Sequence, residues 1–213
     1  MERTKSSTAT TKTAFADPIQ MSIFNHRFMA IAEAMGLTLE QTSQSVNIKE
    51  RRDYSCALFD SQGRLVANAP HIPVHLGSMS QSVQALMTTF DSRMKPQDAY
   101  LVNDPFGGGT HLPDLTVISP VFLDTRDRPD FYVASRGHHA DIGGITPGSM
   151  PAHSLTIAEE GVLFRAFPLV QEGQFNETEL YAALSAGPHP ARNPAQNIAD
   201  LQAQLAANHR GIQ

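Results

Sequence analysis

The chain has 213 residues, with 16 Lys and Arg against 21 Asp and Glu, a formal net charge of −5. At 41% apolar residues it can bury a core and is not dominated by disorder, although its 17% charged residues fall below the roughly 25% of typical soluble chains. The negative balance argues against nucleic acid as a partner, no run approaches the ~20 apolar residues of a membrane helix, and a single cysteine, Cys56, excludes an internal disulfide or a cysteine-ligated zinc site.

Residues 1–14 are rich in Ser, Thr and Lys. They lack the apolar core of an export signal and read as a disordered tail, which leaves the cytoplasm as the expected compartment. Asp17-Pro18 is an N-cap and first-turn pair. Behind it Ile19, Ile23, Phe24, Ile31, Met35 and Leu39 recur at helical steps, predicting an amphipathic core helix over 18–44. Two apolar runs, 54–60 and 65–67, flank the turn 61–64 and predict a β-hairpin. The proline-rich stretch 69–75 reads as an extended loop, followed by a helix over 76–90 and a strand over 98–102. Residues 103–109 form a glycine-rich turn.

Strands are predicted over 115–122 and 131–135 from their β-branched and aromatic content, joined by the turn 127–130. Residues 136–151 then form a loop dense in Gly, His and Pro, of a length and composition often functional. A strand over 162–170 and helices over 176–185 and 193–207 complete the order. The Leu201, Leu205 and Ile212 stripe of the last helix either packs backwards or awaits further chain. Strands and helices do not alternate cleanly, so the expected class is α+β: a mixed, largely antiparallel sheet with flanking helices and long Gly/His/Pro-rich loops.

Five of the nine histidines fall between His71 and His139. His111 and Asp114 follow the glycine turn directly, and His138, His139 and Asp141 cluster past the next predicted strand. His111, Asp114 and His138 offer two imidazoles and a carboxylate, a set suited to a catalytic divalent ion with open positions. Such an ion can polarise a carbonyl or generate hydroxide. His139 and Asp141 would then orient a ligand. His71 and His75, four apart in an extended segment, share a side; they either line a pocket, bind a substrate carboxylate or brace the loop. Glycines 107–109 lack the Gly-Lys-Ser/Thr of a phosphate loop. Asp53 and Glu159-Glu160 are candidate acid–base groups that read first as solvated or capping residues, and Cys56, a candidate nucleophile, reads first as a buried, inert thiol.

The segments 17–19, 24–28 (FNHRF), 53–59 (DYSCALF), 68–77 (NAPHIPVHLG), 109–114 (GTHLPD) and 136–144 (RGHHADIGG) together resemble the hydantoinase B/oxoprolinase family. The similarity is strongest to the B-like portion of ATP-dependent 5-oxoprolinases. It implies that 15–213 is the N-terminal part of a domain normally more than twice as long. It also implies a hydrolase that opens the lactam of 5-oxo-L-proline, or a hydantoin-like ring, and works in glutathione metabolism. Its hydantoinase A-like partner subunit or domain would bind ATP with Mg, in an oligomeric assembly. The resemblance further implies a metal site (Mn, Zn, Fe or Mg) at His111, Asp114 and His138, with His139 the alternative to His138. Catalytic roles then fall to His71, His75, His139 and Asp141. An acetone or acetophenone carboxylase-like subunit, or an inactive truncated remnant, are the alternatives.

Overall fold

The computed structural model describes residues 17–68, 72–90, 93–123 and 127–213. The predicted tail lies outside these residues. Helix α1 (Pro18–Thr42) begins where predicted, with the Asp17 carboxylate accepting from the Ile19 amide. Its buried stripe is Ala32, Met35, Gly36 and Leu39. Ile19, Ile23 and Phe24 are exposed rather than core. A 25-residue helix is about 37 Å long, whereas the 7-residue strand β1 (Tyr54–Asp60) that it packs on spans about 23 Å. The helix outruns its platform. The short α2 (Val46–Lys49) follows it.

Strand β1 turns into β2 (Leu65–Asn68) as the predicted hairpin. Helix α3 (Pro73–Phe90) starts three residues before the predicted onset, so the extended reading is corrected at 73–75, while 69–71 lie outside the described residues. Proline lacks only the N–H that a first helical turn leaves unbonded anyway. His75 therefore lies in the opening turn of α3, its amide bonded back to the Ile72 carbonyl.

Strands β3 (Ala99–Val102), β4 (Asp114–Val121), β5 (Phe131–His138), β6 (Phe167–Gln171) and β7 (Gln174–Phe175) follow. Among the described residues they join β1 and β2 in one sheet of order β2-β1-β5-β4-β3-β6-β7. Every pairing is antiparallel. Helices α4 (Glu177–Leu184) and α5 (Pro194–Ile212) close the chain.

The result is three layers. Side-chain alternation along the strands sends Ala57, Phe59, Tyr100, Ile118, Tyr132 and Ala134 to the α3 face, against Met79, Val83 and Leu86. The opposite face packs on α1, α4 and α5 through Cys56, Leu58, Leu115, Val117, Val133, Leu180 and Leu201. Leu201 is thus covered from within, whereas Ile212 stays exposed. No described helix is long and apolar enough to cross a membrane.

Two strand boundaries matter for the site. β5 continues to His138 and β4 starts at Asp114. Both residues were expected in loops and instead sit opposite each other as a registered pair.

Candidate active site

The site occupies one end of the sandwich between the sheet and α3. Across three adjacent strands, Asp53, His138 and Asp114 form a row: Asp114 pairs with His138, whose amide donates to the Asp53 carbonyl at 2.9 Å. His138 Nδ1 lies 2.7 Å from Asp114 Oδ1. Asp114 Oδ2 accepts from the Thr110 hydroxyl and, at 3.2 Å, from the His111 amide. The His111 ring reaches over from the same turn, Nδ1 3.3 Å from Oδ2. From α3, His75 Nε2 points between two carboxylates, 3.7 Å from Asp114 and 3.9 Å from Asp53. Its Nδ1 lies 3.3 Å from the Ser55 hydroxyl.

Asp114 is the hub, with its side chain 1% exposed. Burial alone would favour the neutral acid. Hydrogen bonds from His138 and Thr110 outweigh that and hold the carboxyl well below its usual range. His138 shows the complement: burial opposes its charge, but the bond to Asp114 raises its pKa. Burial lowers the pKa of His75 despite Asp114 and Asp53, keeping that imidazole neutral at pH 7. His111 is the exposed member, its side chain 60% accessible. Beside it opens a cleft of ≈ 190 Å³ lined by Thr110, Leu112, Ser149, Met150 and Glu160. A larger apolar groove along Ala99, Ser119, Val121, Leu205 and Ile212 lies at the other end of β4 and contains none of these histidines.

The glycine turn is architectural. Gly108 has φ +87°, and a Cβ there would meet the Ser82 backbone nitrogen at 2.4 Å. The turn is pressed onto α3, and Gly108 O accepts from the Ser82 hydroxyl at 2.7 Å.

Sequence reasoning thus located His75, His111, Asp114 and His138, which the fold brings together. His71 lies outside the described residues. His139 goes elsewhere, because neighbouring residues of an extended strand face opposite sides. Its ring is wholly buried under α5, with Nε2 on Gln204 Oε1 and Nδ1 near Asn197 Nδ2. The carboxylate of Asp141 is spent on the amides of Gly143, Gly148 and Arg192 and on the Arg192 guanidinium. Glu159 caps its own turn through the Leu155 and Thr156 amides, and Glu160 accepts from Ser154. Cys56 is fully buried, which pushes its thiol pKa up.

Two residues were missed or undervalued. Asp53 looked isolated because its neighbours come from other strands. Arg136, one row deeper and fully buried, is pushed down to about 10 by desolvation and so remains cationic. Its signal was an arginine inside an otherwise small and apolar run.

Among the described residues no group of three or more His, Cys, Asp or Glu is placed so that it could hold a metal ion; the Asp114 carboxylate is engaged by its own hydrogen bonds. The donor set, imidazole nitrogens around one ionised carboxylate, nevertheless suits a borderline or hard divalent ion.

The model of the hydantoinase B/oxoprolinase family matches residues 17–213. The chain belongs to that family. Within it, 5-oxoprolinase 1 of Arabidopsis thaliana is 52% identical over 205 residues, covering 92% of this chain and 16% of that protein. Caprolactamase subunit beta of Pseudomonas jessenii is 30% identical over 191 residues, covering 90% of this chain and 32% of that one. The crystal structure of ATP-dependent caprolactamase from the same organism covers 92% of this chain and 33% of its own, with TM-score 0.80. A nucleotide-free acetone carboxylase structure shares the fold at TM-score 0.82 and 18% identity, covering 92% and 25%. The chain therefore spans 16% of the length of the 5-oxoprolinases it matches.

Proposed function

We propose that this chain is the ring-opening portion of an ATP-dependent 5-oxoprolinase, acting on 5-oxo-L-proline to give L-glutamate. The observation that carries this is the convergence of His75, His111 and His138 on the buried Asp114 carboxylate, in a chain half identical to proteins named 5-oxoprolinase. A hydantoinase A-like portion binds ATP with Mg and phosphorylates the lactam oxygen, leaving an imidate-like ester. The packing of Gly108 on α3 and of Gly109 on the Asn103 and Asp104 backbone supports placing the nucleotide there rather than here.

His111, Asp114 and His138 are the residues that would hold a divalent cation (Mn, Zn, Fe or Mg), and such an ion would supply Lewis-acid polarisation of an oxygen ligand. His75, neutral and facing two carboxylates, takes the proton from water as its oxygen bonds to the ring carbon; Asp114 and Asp53 stabilise the imidazolium. Collapse breaks the carbon–nitrogen bond and the amine takes a proton, leaving an acyl phosphate; a second water then attacks that carbonyl and displaces phosphate, giving the carboxylate of L-glutamate. His139, whose amide bonds the Pro113 carbonyl at 2.8 Å, steadies the turn carrying His111. Asp141 steadies the loop beyond it. The assembly is expected to be oligomeric and cytoplasmic.

The test is His111→Ala and Asp114→Ala in the full-length enzyme with its partner portion, scoring ATP hydrolysis and glutamate formation separately. Glutamate formation should fall about 100-fold or more, with ATP hydrolysis surviving at least in part. Wild-type glutamate formation in both variants, or turnover of acetone or acetophenone instead of 5-oxoproline by the wild type, would refute the reading.

A further inference from the structure

Arg136 carries a positive charge whose hydrogen-bond acceptors among the described residues are all neutral, the Asp114 carboxylate acting on it only through space. It stands on β5 in the row directly below the site, between Ser55 of β1 and Thr116 of β4. All five of its N–H groups are used. Nε donates to Thr116 Oγ1 at 2.7 Å. Nη1 donates to the Ser78 hydroxyl at 2.6 Å and the His75 carbonyl at 3.3 Å. Nη2 donates to the Ser82 hydroxyl at 3.0 Å and the Gly108 carbonyl at 3.1 Å.

Burying a guanidinium among neutral acceptors forfeits hydration that those bonds return only in part. Apolar packing continues one row further down, at Ala134 and Tyr132, so a leucine or methionine would fill the space without that loss. What an apolar side chain would not do is join three separate elements. The acceptors are the first turns of α3, which carry His75, the 105–109 turn, which leads to His111, and strand β4, which carries Asp114. Arg136 itself lies two residues before His138. A planar fork with five fixed donors suits this task, and a lysine ammonium does not span it.

We infer that Arg136 is a positioning residue, whose guanidinium clamps the opening of α3 and the glycine turn to β5 and so sets where the His75 and His111 rings sit around Asp114. The inference rests on the site proposed above.

Its test uses Arg136→Lys and Arg136→Met in the full-length enzyme. The readouts are diethyl pyrocarbonate modification mapped by mass spectrometry on metal-free protein, and kcat and KM for ring opening. With the unfolding transition retained, Arg136→Lys should raise the modification rate of buried His75 about tenfold and leave exposed His209 unchanged. It should lower kcat about tenfold with KM held within about threefold. A His75 that stays protected in Arg136→Lys overturns the inference. Loss of protection with unchanged kcat keeps the clamp and removes the site reading on which it rests. Should neither variant fold, Ser82→Ala decides. It deletes one acceptor while keeping the charge, and should give changes of about two- to threefold in the same directions; no change in either readout overturns the inference.

Discussion

Replacing Asp114 by Asn keeps the shape of the hub and removes its charge. Asp114 accepts from His138 at 2.7 Å, from the Thr110 hydroxyl, and from the His111 amide at 3.2 Å, with 1% of its side chain exposed. An amide offers one accepting oxygen and one NH2, so at least one of these donors loses its partner and the bond to His138 loses its charge assistance. Hydrogen bonds to ionised groups contribute about 1.5–3 kcal/mol each, so the expected loss is about 2–4 kcal/mol. For a domain of this size that is a fall of roughly 5–15 °C in Tm, read by circular dichroism. The same experiment with Mn2+ probes the proposed cation. A ligand at 100 times its Kd stabilises by about 2.7 kcal/mol, so Mn2+ should raise the wild-type Tm and leave Asp114→Asn unmoved. An Asp114→Asn protein with wild-type Tm and wild-type response to Mn2+ would show that the hub carries neither load.

Two further perturbations separate local causes. Gly108→Ala meets both a left-handed φ of +87° and the Ser82 nitrogen at 2.4 Å, whereas Gly187→Ala meets a φ of +80° and open space. The latter should cost about 1–2 kcal/mol from backbone strain alone and the former clearly more; equal urea midpoints would contradict the close packing of the turn on α3. For Asp141, burial favours the neutral acid, but the Gly143, Gly148 and Arg192 amides and the Arg192 guanidinium reverse that and depress its pKa. A depressed carboxyl stabilises the fold above its unfolded pKa, and that contribution is lost as pH falls through the folded value. Asp141→Asn should therefore be about 1–2 kcal/mol less stable than wild type at pH 7, allowing for solvent screening. The gap should close below about pH 4. A gap that persists in strong acid would dissociate the carboxylate from loop stability.

Local pattern was enough for the hairpin at 54–68, the core strands around Val117 and Val133, and helices α1 and α5, because alternation and helical spacing are properties of neighbours in the chain. It was also enough to flag His111, Asp114 and His138, since clustered imidazoles beside a carboxylate are rarely needed for packing. It misjudged the onset of α3, because Pro73 is hostile inside a helix yet harmless in its first turn.

The primary sequence determined which chemical groups are present and where regular backbone could form. It did not distinguish His138 from His139, adjacent and chemically identical; which faces Asp114 follows from the phase of β5 against β4, and their opposite sides follow from strand geometry. It offered Asp53 only as an isolated acid–base candidate and gave Arg136 no role, because the partners of both lie on other strands and on α3. Hydrogen bonding and desolvation act through space, so only when three strands and one helix came into register did an isolated aspartate become part of a row and an arginine become a buried clamp.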